Sequence, residues 1–383
     1  MPRPKILITG GHITPALAVI PELKKHHLNI IFVGRSHTGR QDLPTKEQEL
    51  IGESAQFVSF DAPKLHSKPL IRNLLELAKT PGSLLAARRI LTTHHPDLIL
   101  TFGGYLALPI ALMAKTLGIP IITHEQTTVL GKTNRILARL SHILALSWPH
   151  TQSVPSALTS TTALTGNPLR PEFFTTQSHP SWYHNPHHLP TIYITGGNQG
   201  ASALNQYILH HLSALTAKYY LIHQTGVARS QADLDKLLAA KQQLPDKQQL
   251  NYHLAPWYDT TDVTWLMHHV NLVVSRAGAN TITELLVTGT PSILIPLPYS
   301  AAGEQQQNAA LLENFGLATV LPQPQLSQLT SLISKLIAQP KPQLSSPATK
   351  LQSLHTQAVT ALTSQVFACL DQHPSAPGPA PSD

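Results

Sequence analysis

The stretch "ILITGGHITPALAVI" (Ile6–Ile20) predicts an apolar strand, a glycine turn and an amphipathic helix that opens at Thr14-Pro15. Further along, "IYITGGNQGA" (Ile192–Ala201) repeats the strand and the Thr-Gly-Gly turn. Apolar runs then alternate with helical periodicity, which is typical of parallel sheets with crossover helices. The predicted fold class is α/β, with two Rossmann-like parallel-sheet domains. Because ligands gather at the carboxyl ends of such strands, we expect both turns to face one central cleft.

Short apolar runs bounded by turn residues mark the predicted strands. In the first half they are Lys5–Ile8, Ile30–Val33, Asp97–Thr101, Pro120–Thr123 and Ile143–Leu146. In the second half, after the strand within Ile192–Ala201, they are Tyr219–Ile222, Gln249–Leu254, Asn271–Val274 and Ser292–Ile295.

Shifts in composition divide the chain into successive parts. The segment "PEFFTTQSHPSWYHNPHHLP" is rich in Pro, His and Ser, which indicates an interdomain linker. Near the end, helical periodicity predicts one long amphipathic helix, followed by a Pro- and Ser-rich tail. The expected parts are a first domain at 1–170, a linker at 171–188, a second domain at 189–345, a helix at 346–372 that crosses back to the first domain, and a disordered tail at 373–383.

Composition limits the possible partners. The chain has 383 residues, a formal charge of +7 and a charged fraction of 12%, about half the usual share. Its basic balance favours a partner with phosphates or an anionic membrane surface, while the absence of aromatic-basic interleaving argues against nucleic acid. One cysteine, Cys369, cannot form an internal disulfide or a Cys-based zinc site. No signal peptide or membrane span is predicted, so we expect a cytoplasmic chain, peripheral to a membrane.

The second half carries the strongest nucleotide signal, "VVSRAGANTITELLVTGTPSILIPLP" (Val273–Pro298). It predicts a strand, a glycine turn and a helix whose N-terminal N–H groups suit a diphosphate. Glu284 could accept two hydrogen bonds from a vicinal diol such as a ribose, or it could be solvated or form a capping box with Thr281. Two further helix starts, Gly303–Gly316 and Thr195–Gln206, carry amides or glycines suited to sugar hydroxyls and phosphate, although polar first turns are also common.

The first half supplies candidates for the chemistry. His12 follows the first strand and could act as a general base on a hydroxyl, or it could hydrogen-bond a loop carbonyl. Glu125, in "IITHEQTTVLGKTN" (Ile121–Asn134), could share that role or serve as a buried partner of the neighbouring loops. The histidine doublets show no metal-ligand spacing, so no metal is expected.

Taken in order, "TGGH", "GGY", "HEQ", "GNP-R", "GGNQGA", "SRAGA-T-TE" and "EQQQNA" resemble the MurG family of GT-B glycosyltransferases, from Lys5 to about Ala318. The resemblance implies transfer of N-acetylglucosamine (GlcNAc) from UDP-GlcNAc to the 4-hydroxyl of lipid-linked N-acetylmuramyl (MurNAc) pentapeptide. The lipid is undecaprenyl diphosphate on the anionic inner leaflet of the cytoplasmic membrane. The transfer inverts the anomeric centre, with no metal or other cofactor, because helix N-termini neutralise the diphosphate.

The resemblance also implies site residues. His12 is the expected base, with Glu125 as the second catalytic candidate. The expected donor-binding set is Thr9, Gly10, Gly11, Thr127, Arg170, Asn198, Tyr258, Ala279, Asn280, Thr281, Ile282, Thr283, Glu284 and Gln305. The expected acceptor and phosphate loop is Gly103, Gly104 and Tyr105.

Three departures from the family pattern concern the loops. The first turn has fewer glycines, Thr127 replaces an asparagine that follows HEQ, and Asn198 replaces a serine. They leave open another GT-B UDP-sugar transferase, a UDP-sugar epimerase or a non-catalytic UDP-sugar-binding protein. A basic and apolar stretch, Ala62–His95, predicts either docking on an anionic leaflet or an ordinary helix pair packed on the sheet.

Overall fold

Parallel strands form the centre of both halves of the chain. The structure is a computed structural model that describes residues 3–11, 13–35, 37–38, 41–44, 46–63, 78–156, 158, 160–175, 178–227, 231–300 and 303–373. The chain divides into two compact units, Met1–Arg170 with Leu354–Asp383, and Pro171–Ser353.

The first unit is built on a seven-stranded parallel sheet with the order β5-β2-β1-β6-β7-β8-β9. A short antiparallel ladder, β3–β4, lies outside it. The strands are β1 (Lys5–Thr9), β2 (Asn29–Gly34), β3 (His37–Thr38), β4 (Gln41–Pro44), β5 (Gln56–Ser59), β6 (Leu98–Thr101), β7 (Ile121–Glu125), β8 (Ile143–Leu146) and β9 (Thr161–Leu164).

The second unit is built on a six-stranded parallel sheet with the order β12-β11-β10-β13-β14-β15. Its strands are β10 (Thr191–Thr195), β11 (Tyr220–Gln224), β12 (Tyr252–Ala255), β13 (Leu272–Ser275), β14 (Ser292–Leu294) and β15 (Ala318–Val320).

Helices connect the strands in both units. Those of the first unit are α1 (Ile13–Lys25), α2 (Lys46–Ile51), α3 (Thr80–His94), α4 (Ala107–Thr116) and α5 (Lys132–Leu140). The second unit has α6 (Ser202–Thr216), α7 (Gln231–Gln242), α8 (Asp246–Gln249), α9 (Thr260–His269), α10 (Ala279–Thr288), α11 (Glu304–Asn314) and α12 (Leu329–Ile337). Two more helices, α13 (Ser346–Thr356) and α14 (Ala358–Gln372), return the chain to the first unit.

The apolar run in β1 is explained by burial on both faces of the sheet. Ile6 and Ile8 pack in one core with Leu362 of α14, whereas Leu7 packs on the opposite face with Ile110 of α4. All of these side chains are fully buried. Each contributes about 1.5–3 kcal/mol, which is why a central parallel strand contains few polar residues.

The C-terminal segment differs from the single helix predicted at 346–372. It forms α13 and α14, separated at Gln357, whose φ of −93° and ψ of 3° are non-helical. No Gly or Pro, the usual sequence signals of a helix break, lies between Ala348 and Gln372. The break lies where the backbone passes Gly166, at which a Cβ atom would be 2.8 Å from the carbonyl oxygen of Leu354. This close approach is a tertiary contact. The hydrophobic periodicity of the sequence carries no information on such contacts, so the break could not be predicted from it.

The segment predicted as a linker packs closely on the second unit. Trp182 stacks on His253 with ring centroids 4.1 Å apart, and its Nε1–H donates to Asp262 Oδ2 (2.8 Å). Tyr183 packs against Trp265, with 4.6 Å between centroids. These aromatic contacts make the segment part of that unit, although its composition resembles a loop.

The predicted strands all correspond to strands of the two sheets, but β5, β9 and β15 were not predicted. Each is only three or four residues long and has no fully buried run. Such short strands at the edges of a sheet lack the apolar signal on which the prediction depends.

Several predictions fall on residues outside the described ranges. These are His12, residues 64–77 of the basic stretch Ala62–His95, and the tail from 374 onward. Within the ranges that are described, no helix has the length and apolar character needed to span a membrane.

Candidate active site

Two glycine loops of the first unit lie against each other at the carboxyl ends of β1 and β6. Gly11 N–H donates to the carbonyl oxygen of Gly103 (3.0 Å), and a Cβ atom on Gly104 would lie 2.6 Å from Gly11 N. Gly104 also has a φ of +80°, a conformation that favours glycine. The structure therefore brings the predicted loops at Thr9–Gly11 and Gly103–Tyr105 together into one surface.

Glu125 is held by the loop that follows it. Its Oε1 accepts from the Thr127 N–H (3.0 Å) and lies 2.8 Å from Thr127 Oγ1, while its Oε2 accepts from Gly131 N–H (3.0 Å) and Asn134 Nδ2 (2.9 Å). Glu125 is also buried. Both oxygens are thus occupied by loop and helix donors. This geometry favours the buried-partner interpretation over the catalytic one, since each oxygen already accepts at least one hydrogen bond from the protein.

Thr127, which stands where the family has an asparagine, directs its hydroxyl into the same loop. Its Oγ1 lies 2.6 Å from the carbonyl oxygen of Val129 as well as 2.8 Å from Glu125 Oε1. The hydroxyl proton is therefore donated within the loop, which leaves the Thr127 oxygen only its acceptor lone pairs for a contact with the donor sugar.

Asn134 is a residue that sequence reasoning missed. It lies in the first turn of α5 and is buried, and besides Glu125 its amide contacts the carbonyl oxygen of His124 (3.4 Å). A Cβ atom on Gly103 would lie 2.3 Å from Asn134 Oδ1, so this amide also lies directly against the glycine loop. Asn134 therefore connects Glu125 to that loop. Its place in the quoted stretch Ile121–Asn134 was the only available signal.

Two buried histidines support the turn that leads to Arg170. His124 Nε2 donates to the carbonyl oxygen of Gly166 (2.9 Å), and His355 Nδ1 accepts from Asn167 N–H (2.9 Å). Burial lowers the pKa of His124 to about 4, and burial followed by the nearby His124 lowers the pKa of His355 to about 3. Both rings are therefore neutral at pH 7 and hold the turn by hydrogen bonds alone. Arg170 itself is half-buried and ends the first unit.

The N-terminus of α10 opens at the carboxyl edge of the second sheet. Its N-cap is Gly278, which has no side chain with which to cap the helix. The first helical bond is donated by Ile282 N–H to Gly278 (3.0 Å), so the backbone N–H groups of Ala279–Thr281 point towards the mouth of the helix. Ile282 and Thr283 were also predicted to bind the donor, but their side chains are buried, and Thr283 Oγ1 donates back to the carbonyl oxygen of Ala279 (2.9 Å).

Glu284 lies in the second turn of α10. Because Gly278 is the N-cap, Thr281 occupies the third helical position, which rules out a capping box between Thr281 and Glu284. The side chain is 8% exposed, which rules out a solvated carboxylate. Burial raises the pKa of the Tyr193 phenol, and the nearby charge of Glu284 raises it further. The contact of Glu284 with a ribose diol remains a prediction.

The loop before α11 is braced by two glutamines. Gln305 Oε1 accepts from Leu297 N–H (2.9 Å), whereas Gln306 Nε2 donates to the carbonyl oxygen of Leu297 (3.1 Å) and its Oε1 accepts from Ser300 Oγ (2.8 Å). The Nε2 group of Gln305 has no hydrogen bond to any described residue. This donor is the part of Gln305 that can reach a sugar hydroxyl.

The turn between β10 and α6 presents Asn198 to solvent. The carbonyl oxygen of Asn198 accepts from Val227 N–H (3.0 Å), and a Cβ atom on Gly226 would lie 2.2 Å from Gly200 N. The turn is therefore fixed by backbone contacts. The exposed side chain of Asn198 retains the donor and acceptor groups that a phosphate or sugar contact requires.

Tyr258, whose backbone is the part predicted to contact the nucleotide base, has its side chain in an aromatic cluster. Its hydroxyl lies 2.7 Å from His253 Nδ1, and its ring packs 5.0 Å from that of Trp182. Burial raises the pKa of Tyr258 and lowers that of His253 to about 4. The side chain is a buried member of an aromatic cluster, which leaves only its backbone as a candidate for base recognition.

Arg276 is a further residue for which no role was predicted. It directly follows β13, and its guanidinium donates to the carbonyl oxygens of Ile295 (3.0 Å) and Pro296 (3.4 Å) and to Gln323 Oε1 (2.7 Å). It therefore joins the loop before α10 to the loop before α11. Across the described residues, no cluster of three or more His, Cys, Asp or Glu side chains could hold a metal ion.

The chain matches the description "Glycosyltransferase family 28 N-terminal domain" over residues 9–143 and "Glycosyltransferase family 28 C-terminal domain" over residues 191–362. A UDP-N-acetylglucosamine--N-acetylmuramyl-(pentapeptide) pyrophosphoryl-undecaprenol N-acetylglucosamine transferase from Rippkaea orientalis is 34% identical over 322 residues. That alignment covers 83% of this chain and 84% of the relative. The chain belongs to the MurG family. It is accordingly a hexosyltransferase, as its motifs predicted.

Solved structures agree on the fold. MurG from Acinetobacter baumannii matches with a TM-score of 0.64 at 22% identity, over 97% of this chain and 100% of that one. A UDP-GlcNAc 2-epimerase from Neisseria meningitidis matches with a TM-score of 0.59 at 12% identity, over 95% of this chain and 100% of that one. These likenesses show the GT-B fold, with two Rossmann-like parallel-sheet domains. They do not favour the epimerase alternative over the transferase.

Proposed function

We propose that this MurG-family chain transfers GlcNAc from UDP-GlcNAc to the 4-hydroxyl of MurNAc in undecaprenyl-diphosphate-linked pentapeptide. The structural observation that carries the proposal is the α10 mouth, whose N-cap is the glycine Gly278 and which has the buried side chain of Glu284 one turn further in. A helix N-terminus stabilises a diphosphate, and a buried carboxylate accepts hydrogen bonds from a ribose diol. The similarity to the Rippkaea orientalis enzyme over most of both chains supports the same donor and acceptor.

The reaction would proceed by a single displacement with inversion. The 4-hydroxyl oxygen of MurNAc forms a bond to the anomeric carbon of GlcNAc, while the bond from that carbon to the diphosphate breaks and UDP leaves with the electron pair. The proton of the hydroxyl passes to a base, for which His12 is the candidate. Backbone N–H groups at the α10 mouth would stabilise the charge on the departing diphosphate, so the proposal requires no metal.

Different residues of the second unit would bind different parts of the UDP-GlcNAc donor. The α10 mouth takes the diphosphate, Glu284 the ribose, and the Nε2 group of Gln305 a hydroxyl of the sugar. Asn198, exposed on the neighbouring turn, would offer a further hydrogen bond to phosphate or sugar. Thr127 would shape its own loop through Glu125 and offer the sugar only acceptor lone pairs.

The test is transfer of labelled GlcNAc from UDP-GlcNAc onto lipid-linked MurNAc-pentapeptide, with released UDP measured in parallel. Labelled disaccharide-lipid with an equal amount of UDP is the expected result. Binding of UDP-GlcNAc without product would support a non-catalytic binding protein or another acceptor. A His12→Ala variant should retain UDP binding and lose turnover, whereas unchanged turnover would remove His12 as the base.

We also propose that the first unit docks on an anionic leaflet through α3. Leu85 is 70% exposed, and the exposed Arg88 and Arg89 follow it at three and four positions, on the same face of the helix. An apolar side chain beside two cations suits the interface of an anionic bilayer.

The docking proposal can be tested by sedimentation with vesicles of phosphatidylglycerol or of phosphatidylcholine. Leu85→Glu should reduce binding to the anionic vesicles severalfold, and the natural chain should bind phosphatidylcholine weakly. Leu250→Glu, which changes a 54% exposed leucine of the second unit, is the matched control and should bind normally. Equal losses in both variants would contradict docking through α3.

A further inference from the structure

We infer that Arg276 is a positioning residue that sets the selectivity for the donor sugar, by fixing the Gln305 loop relative to the α10 mouth. This inference rests on the proposed function of the same site. It concerns a side chain that is not itself required to touch the donor.

The first observation is the reach of the guanidinium across three strand ends. Arg276 follows β13, its Nη1 donates to the carbonyl oxygens of Ile295 (3.0 Å) and Pro296 (3.4 Å) just beyond β14, and its Nη2 donates to Gln323 Oε1 (2.7 Å) just beyond β15. Neighbouring strands in this part of the sheet are therefore joined at their carboxyl edge by one side chain. Only a planar group with several fixed donors can make this set of bonds.

The second observation is the nature of the acceptors. They are all neutral, and among the described residues Arg276 has no carboxylate partner within salt-bridge distance. The side chain is half-buried, and burial lowers its pKa. A partly buried cation that is paired only with neutral groups is costly for stability alone. Attraction between the guanidinium and a bound anion offsets this cost. Here the anion is the diphosphate proposed to bind at the adjacent α10 mouth.

The third observation is how a displacement at Arg276 would reach the sugar. Pro296 precedes Leu297, whose N–H is held by Gln305 Oε1 and whose carbonyl oxygen is held by Gln306 Nε2. A second contact joins helix α11 to the loop before α10, because Asn308 Nδ2 donates to the carbonyl oxygen of Ala277 (3.1 Å). If the guanidinium bonds are lost, the Gln305 loop shifts relative to α10 and the nucleotide. A misplacement near 1 Å in such a site costs up to about a hundredfold in turnover.

Arg276→Lys is the discriminating variant, because it keeps the positive charge and removes the planar guanidinium with its fixed donors. We expect its affinity for UDP, measured by calorimetry, to stay within about twofold, since the α10 mouth and the charge are retained. The KM for UDP-GlcNAc should rise about tenfold, and the preference for UDP-GlcNAc over UDP-glucose should fall by a similar factor. Gln323→Ala removes one of the three bonds and should change the same ratio in the same direction by a smaller factor.

Two controls separate this role from general damage. Arg139→Lys on α5 makes the same chemical change in the first unit. It should leave the KM for UDP-GlcNAc and the preference for UDP-GlcNAc over UDP-glucose unaltered. If Arg276→Lys proves unfolded by circular dichroism, Gln323→Ala still provides the test.

Equal losses of UDP and UDP-GlcNAc affinity in Arg276→Lys would overturn the inference, since they would mean that the arginine only attracts the anion. Unchanged sugar preference in both variants would also overturn it. Failure of the natural chain to bind UDP would instead count against the proposed function.

Discussion

Glu284 is the side chain on which the proposed nucleotide recognition depends most directly. Glu284→Gln replaces an acceptor-only carboxylate with an amide, so a ribose diol loses at least one charge-assisted hydrogen bond worth about 1.5–3 kcal/mol. The dissociation constant of UDP should therefore rise about tenfold to a hundredfold in calorimetric titrations. Glu53→Gln, at an exposed site of the first unit, is the matched control and should titrate normally. UDP affinity that is unaffected in both variants would exclude the ribose contact.

Glu125 allows a test of whether a carboxylate is catalytic or structural. Glu125→Gln retains one acceptor oxygen, but its new NH₂ group must face one pair of donors, either those of Thr127 or those of Gly131 and Asn134. We expect the free energy of unfolding in urea to fall by about 1–3 kcal/mol. The remaining activity should keep the pH profile of the natural chain. A stable variant without turnover would restore Glu125 as a catalytic group.

At the scale of elements, the paired glycine loops of the first unit offer a controlled substitution. Gly104 and Gly118 have nearly the same φ, +80° and +70°, but a Cβ atom would lie 2.6 Å from Gly11 N at Gly104 and would meet nothing within 4 Å at Gly118. Alanine at either site carries the conformational cost of about 1 kcal/mol. Only Gly104→Ala should also lose stability through the backbone clash and lower turnover. Urea unfolding and the transfer assay measure the two effects, and equal losses at both glycines would argue against the close loop contact.

The same elements show how far the sequence could predict the structure. Central strands such as β1 and β10 were predictable because burial on both faces demands a continuous apolar run. The glycine turns were predictable as turns at the carboxyl ends of the sheets because they follow those strands. Asn134 and Arg276 were not, because a single polar residue in a helix or turn does not reveal which distant carbonyl or carboxylate it will meet. The same limit applies to the side chain of Tyr258, whose hydroxyl meets His253 and whose ring packs against Trp182.

At the scale of the whole molecule, each unit contains histidines that are buried in the neutral form. In the first unit these are His124 and His355, with pKa values lowered by burial to about 4 and about 3. In the second unit, burial lowers the pKa of His223 to about 3, and its ring is enclosed between Tyr252 (2.9 Å) and Asn205 (3.1 Å). An unfolded chain binds protons at these rings below about pH 6.5 while the folded chain does not.

The stability of both units should therefore fall as the pH falls from 7.5 towards 5.5. In this range the unfolded state binds more protons than the folded state, so the free energy of unfolding decreases by about 1.4 kcal/mol per buried histidine. The loss should continue until the pH approaches the folded pKa values of about 3 to 4. Urea unfolding at pH 7.5 and 5.5 measures it. His223→Gln should remove about 1.4 kcal/mol of the difference for the second unit, whereas His210→Gln, at an exposed site, should remove none. A pH dependence that is the same in both variants and the natural chain would mean that the buried histidines do not set the acid stability.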